Sequence, residues 1–269
     1  MILGQESLIQ IIDSFSLESF PKSILLQGLK GSGKHMICDY ISTKFNLPIE
    51  NISKSINIDK LEEIYKRVEP YLYIIDMNII TAKNKVDKEQ SILLKFIEEP
   101  LQNSFIIILC ENTNQLLPTI HNRCFKLFMN IYSKEILGKF IDLDCDNKLI
   151  LDIAKTPGQI REIKGEKLSD ALEFTNKIID NLASVPYYNA LKISDSIAFE
   201  DEKNKYSLDV LTSLIVYNLR QRLRKEYTDK YYFMYVSFNT LIQELNLPYI
   251  NKKYLFENKL FEIKQGLSK

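Results

Sequence analysis

Gly28-Leu29-Lys30-Gly31-Ser32-Gly33-Lys34-His35 follows the apolar run Ser23-Ile24-Leu25-Leu26-Gln27 and leads into Lys34 to Phe45, whose spacing predicts a helix. Strand, glycine-rich turn and helix in that order fit a phosphate-binding loop, G-x-x-x-x-G-K-[ST], up to its last position. The glycines let successive backbone N–H groups wrap phosphate oxygens, the lysine reaches the β/γ-phosphates, and the final hydroxyl completes a magnesium shell. His35 stands where that hydroxyl belongs, and an imidazole is a poor magnesium ligand. The second half of such a site is also incomplete. Tyr71-Leu72-Tyr73-Ile74-Ile75-Asp76 reads as an apolar strand ending in a carboxylate that would lie beside the phosphates. The next residue, often a water-orienting Glu in hydrolysing P-loop ATPases, is Met77, whose thioether cannot polarise water. Two separate defects predict no ATP hydrolysis by the chain alone. Glycine-rich turns and Asp-terminated strands also occur without nucleotide; the placement of Lys34 and Asp76 where two parallel strands converge favours an ancestral phosphate site.

The chain has 269 residues, 45% hydrophobic and 26% charged, which suits a soluble protein of two or three small domains. Lys plus Arg equals Asp plus Glu at 35 each, so no global field recruits nucleic acid or membrane, and DNA contact must be local or shared. Cys38, Cys110, Cys124 and Cys145 are far apart, with only His35 and His121 as companions, which indicates neither zinc nor a disulfide framework. The start lacks a basic region and a long apolar run, and a cytoplasmic location is expected.

Helix and strand signals alternate over residues 1–131: helices near 6–15, 34–45, 59–68, 87–98 and 115–121, strands at 23–27, 71–76, 104–109 and 125–129. The expected fold is an α/β core with a mostly parallel sheet. Residues 132–166 read as a small helical domain of three short helices. Residues 167–269 read as a helical bundle with segments near 169–184, 187–198, 207–226, 230–245 and 252–264.

Ile92-Leu93-Leu94-Lys95-Phe96-Ile97-Glu98-Glu99-Pro100, then Phe105-Ile106-Ile107-Ile108-Leu109, then Leu116-Leu117-Pro118-Thr119-Ile120-His121-Asn122-Arg123-Cys124, resembles bacterial DNA polymerase III clamp-loader subunits of the AAA+ class. Gly4-Gln5 resembles that family's opening G-Q. The likeness covers residues 1–130 and is weak beyond about 165. It implies an AAA+ P-loop core, a helical lid and a helical collar. Within the family the sequence looks like the delta-prime type, in which the ATP site is often degraded while the arginine matching Arg123 is kept and presented in trans to the ATP of a neighbouring subunit. Asn122 replaces the family's Ser, and the four-cysteine zinc module of many relatives is absent.

The resemblance further implies tau/gamma-like motor subunits and a clamp-opening delta subunit as partners, with the sliding clamp and primer-template DNA reached through the complex and no membrane. Gly28, Gly31, Ser32, Gly33, Lys34, His35 and Asp76 form a candidate vestigial nucleotide site. Arg161, in Gly158-Gln159-Ile160-Arg161-Glu162, falls where relatives place a nucleotide-sensing lid arginine; a helix-surface arginine beside Glu162 accounts for it equally well. ATP or ADP is the cofactor compatible with the loop, and no zinc or other metal is expected. Arg123 paired with a surface carboxylate is the structural alternative to a trans role. The clusters Arg220, Arg222, Arg224, Lys225 and Lys252, Lys253, Lys259 are more often solvated helix faces than DNA sites. The competing functional readings are an ATP-hydrolysing AAA+ clamp-loader motor or recombination-associated ATPase, and a small-molecule P-loop kinase.

Overall fold

The computed structural model describes residues 2–81, 86–99, 104–113, 116–141, 147–164, 168–184, 197–198, 206–245 and 251–267. Five strands form one sheet: β1 Ser23–Gln27, β2 Ile49–Asn51, β3 Leu72–Asp76, β4 Phe105–Cys110 and β5 Phe125–Phe128. Their order is β2-β3-β4-β1-β5, and every pairing is parallel. A parallel sheet needs cover on both faces, and the alternation of side chains supplies two cores. Leu25, Tyr73, Ile75, Ile106 and Ile108 point into one; Ile24, Leu26, Leu72, Ile74, Ile107 and Leu109 point into the other. The first packs against α3 (Ile58–Tyr65) and α5 (Val86–Glu98) through Leu61, Ile64, Leu93 and Phe96. The second packs against α1 (Glu6–Asp13) and α2 (Lys34–Phe45) through Leu8, Ile12, Ile37 and Ile41.

This is the α/β core with a parallel sheet expected from the sequence. Two elements were not anticipated. β2 is three residues long, on the sheet edge, with a polar Glu50-Asn51 pair, so it carries no apolar run to detect. The short helix α4 (Met77–Thr81) begins directly after Asp76. The remaining short helices are α6 (Pro118–His121), α7 (Lys134–Gly138), α8 (Asn147–Ile153) and α9 (Pro157–Lys164). Two compact units are distinguished: Met1–Lys139 with Thr156–Gly158, and Phe140–Lys155 with Gln159–Lys269.

The second unit is helical, as expected: α10 (Leu168–Ser184), α11 (Leu208–Lys225), α12 (Asp229–Glu244) and α13 (Lys252–Leu267). Met234, Phe238 and Leu241 recur at helical spacing on α12 and meet Ile178, Leu211, Ile215, Leu219, Phe256 and Leu260 in one core. Thr228 caps α12 by accepting the Tyr231 N–H. The helix expected over 187–198 falls outside the described residues except at its end. There it is corrected, because Ile197–Ala198 forms a two-residue parallel ladder with Tyr206–Ser207. A β-branched Ile suits extended backbone, and two residues are too few for any periodicity to be seen.

Candidate functional site

Parallel strands bring their carboxyl ends to one edge of the sheet, where ligand sites of open α/β folds form. Gln27 ends β1 and the glycine-rich loop follows; Asp76 ends β3; Glu111 follows β4. Gly31 has φ +74° and Gly33 φ +91°, left-handed conformations that favour glycine, and Gly33 caps α2 from that conformation. Gly28 is required by contact, since a Cβ there would lie 2.4 Å from Met129 Cγ.

The loop's polar groups are turned inward on the protein. Lys34 is 7% exposed, and its Nζ donates to the carbonyls of Gly28 at 2.7 Å and Leu29 at 3.1 Å. Burial lowers its pKa, while Glu111 and Asp76 nearby oppose that shift. Ser32 is 2% exposed, and its Oγ has no hydrogen-bond partner among the described residues. His35 Nε2 lies 3.5 Å from Asp76 Oδ2. The Asp76 side chain hydrogen bond raises the His35 pKa against partial burial. Burial alone would raise the Asp76 carboxyl, but the His35 imidazole and the Asn78 N–H, 2.9 Å from Oδ1, hold it below the usual carboxylate value.

Magnesium does not fit this arrangement. The position that should supply a hydroxyl carries an imidazole directed at the acidic ligand, and Met77 is 0% exposed in the hydrophobic core. Among the described residues no group of three or more His, Cys, Asp or Glu is arranged to hold a metal ion. Gly28, Gly31, Ser32, Gly33, Lys34, His35 and Asp76 are therefore brought together; Lys34 is engaged by the backbone, and His35 and Asp76 by each other.

Arg123 is elsewhere. It precedes β5, and the register Ile24↔Phe125 and Gln27↔Phe128 puts it at the amino-terminal edge of the sheet, opposite the loop. Five residues separate Arg123 from Phe128, roughly 16 Å of extended strand at about 3.3 Å per residue. Its guanidinium lies 2.8 Å from Glu98 Oε1 and donates to Thr119 O at 3.1 Å, with the two side chains 43% and 46% exposed. Cys124 is buried, and burial pushes its thiol up to about 11, so it remains a protonated, unreactive thiol. Arg161 is exposed on α9 and belongs to the second unit.

Of the basic clusters, Arg222 pairs with Asp180 at 2.5 Å and Asn176 at 3.1 Å, Arg220 lies over the Tyr235 ring, and Lys259 is buried between Glu244 and Glu262. These are packing contacts within the helical unit. Sequence reasoning missed Asn78, whose amide donates to Glu111 Oε1 at 3.1 Å, and Ser53, whose Oγ accepts the Asp76 N–H at 2.7 Å. Glu111 was detectable, since it follows an apolar strand as directly as Asp76 ends one.

A family model described as "DNA polymerase III, delta subunit" matches residues 41–132, a segment from within α2 through β5 that begins after the glycine-rich loop. The DNA polymerase III subunit gamma of Buchnera aphidicola subsp. Schizaphis graminum is 26% identical over 174 residues, 52% of this chain and 47% of that protein. Both matches are to DNA polymerase III subunits. The chain spans about half the length of this curated relative. A solved structure of Thermotoga maritima RuvB, described as a Holliday junction branch migration motor, aligns with a TM-score of 0.48 at 15% identity, over 79% of this chain and 68% of that one. A variant of the same protein aligns with the same TM-score at 12% identity, over 79% and 67%. No helix among the described residues is long and apolar enough to cross a membrane.

Proposed function

We propose that this chain is a delta-prime-like subunit of a replicative clamp loader, catalytically empty at its own loop and supplying Arg123 in trans to an ATP site on a neighbouring subunit. The observation that carries the reading is the opposition of two edges: the degenerate loop at one end of the sheet and Arg123 at the other. A guanidinium about a strand length from its own phosphate loop cannot stabilise charge there, yet its half-exposed position lets another chain's γ-phosphate approach. The loop supports the same reading through His35 against Asp76 and the buried Met77. Any nucleotide held here would rely on backbone amides and a Lys34 first released from two carbonyls.

Assembly with tau/gamma-like motors and a clamp-opening delta subunit follows from this reading, as do action on the sliding clamp at primer-template DNA and a division into core 1–131, lid 132–166 and collar 167–269. The test is ATP hydrolysis by the purified chain alone and in a reconstituted loader, comparing wild type with Arg123→Ala. Silence alone, activity in the mixture and loss of most of the DNA-stimulated rate in the variant are expected. Magnesium-dependent turnover by the chain alone would overturn the proposal. A second reading, favoured by the 2.8 Å contact with Glu98, is that Arg123 only ties β5's entry to α5; an intact loader rate in Arg123→Ala would select it.

A further inference from the structure

Lys30, Gly31 and Ser32 are consecutive in the loop, and each of their carbonyls is taken by a donor from downstream in the chain. Thr156 Oγ1 donates to Lys30 O at 2.8 Å, the Gly158 N–H to Gly31 O at 3.0 Å, and the Tyr132 hydroxyl to Ser32 O at 2.7 Å. The approach leaves no space for side chains: a Cβ on Gly31 would lie 2.7 Å from Gly158 Cα, and one on Gly158 would lie 2.4 Å from Gly31 Cα.

The donors are themselves held. Gly4, at φ +79°, backs onto the Tyr132 ring so closely that a Cβ there would be 3.1 Å from Cδ1. Gln5 is fully buried, accepting the Asn130 N–H at 2.7 Å and donating to Asn130 O at 3.1 Å, two residues before Tyr132. Segments around residues 4–5, 130–132 and 156–158, far apart in sequence, thus converge on one loop.

In a phosphate loop the amides face the anion and the carbonyls face away. Such loops ordinarily gain order when phosphate binds, because the ligand offsets the conformational entropy of fixing several glycines. Here the outward face is bonded at three successive residues by donors of the protein itself, and Lys34 closes the inner side onto Gly28 and Leu29.

We propose that this clasp, and not nucleotide, holds the phosphate loop in its folded shape, making the loop a fixed anchor for the Thr156–Gly158 segment whose order does not respond to ATP or ADP. The inference rests on the reading of the loop as catalytically inert and is independent of Arg123. Each clasp bond accounts for about tenfold in the local opening equilibrium, the factor that corresponds to about 1.4 kcal/mol.

Hydrogen–deuterium exchange on the full chain tests it, following peptides over residues 28–35 and 156–160 with and without millimolar ATP or ADP and magnesium. In wild type both peptides are protected without nucleotide, and adding it changes their rates by less than about twofold. Tyr132→Phe with Thr156→Val removes two donors and no bulk, and raises exchange in both peptides by about 10- to 100-fold while β3 and β4 stay protected. Gly158→Ala reaches the same result sterically. A wild-type loop that exchanges freely and slows on adding nucleotide overturns the proposal, as does unchanged exchange in the double variant. Should the variants not fold, the nucleotide comparison on wild type decides alone. Because no readout involves a neighbouring subunit, failure here leaves the Arg123 experiment unaffected.

Discussion

Met77→Glu recreates the acidic pair of a hydrolysing P-loop ATPase on paper, and the structure predicts that it costs stability and yields no activity. Met77 is fully buried among Leu25, Ile75, Ile108 and Phe96. Losing the burial of its side chain costs about 2 kcal/mol. A carboxyl in such surroundings reaches a pKa of about 8, against about 4.3 in the unfolded chain. At pH 7 the chain must hold a proton that the unfolded state releases, which costs about 3 to 4 kcal/mol at about 1.36 kcal/mol per pH unit. The expected deficit is therefore about 5 to 6 kcal/mol at pH 7. Its sign with pH is fixed: a raised carboxyl pKa loses stability as pH climbs from about 4 to about 8, so near pH 4.5 the deficit shrinks to about 2 kcal/mol. Urea unfolding of wild type and variant at both pH values, followed by circular dichroism, measures this directly. A deficit below about 1 kcal/mol that is equal at both pH values would show that position 77 is open to water, and ATP turnover by such a variant would refute the inert-site argument.

Glu98→Gln separates the two readings of Arg123. The exposed pair contributes at most about 1 kcal/mol, so if Arg123 acts in trans the loader rate changes by less than about fivefold, whereas Arg123→Ala removes most of it. His35→Gln should show a pH-dependent loss of stability. His35's pKa is raised from 6.5, so its contribution is full below that value and fades as pH rises through the folded-state pKa. Asp76's is lowered from 3.8, so its contribution is present above that value and is lost as pH falls. The variant's deficit is thus largest between about pH 4 and 6.5 and vanishes in alkali; with the imidazole 57% exposed, screening limits it to about 0.5 kcal/mol in thermal unfolding curves. In the helical unit, the buried Asn218 amide donates to Thr175 Oγ1 at 2.7 Å, and Thr175→Val strands it, with an expected loss of about 1 to 3 kcal/mol by denaturant titration.

The sheet and most helices were legible because their signals are local: apolar runs bounded by turns at 23–27, 72–76 and 105–110, and helical spacing at 34–45 and 229–244. Short polar elements such as Ile49–Asn51 were not, since edge position rather than composition makes them strands. The departures of His35 and Met77 from the phosphate-loop pattern were legible residue by residue, but the His35–Asp76 contact, the Glu98 partner of Arg123 and the three captured carbonyls depend on segments 25 to 127 residues apart meeting in space.

That separation bears on why a loop proposed to be inert still carries the glycines of a working one. Phosphate binding explains Gly28, Gly31 and Gly33 in an active site, whereas on the proposed reading His35 and Met77 remove the chemistry that phosphate binding would serve. Packing supplies a second reason at two of the three. Gly28 faces the Met129 side chain and Gly31 faces Gly158 backbone, at distances where no Cβ fits. Only Gly33 has ordinary contact distances around its Cβ position, and there the left-handed φ at the α2 cap is what favours glycine. The glycine pattern is therefore accounted for by the fold itself, which makes it a weak indicator of nucleotide use and shifts the diagnostic weight to the residues that would touch metal and water.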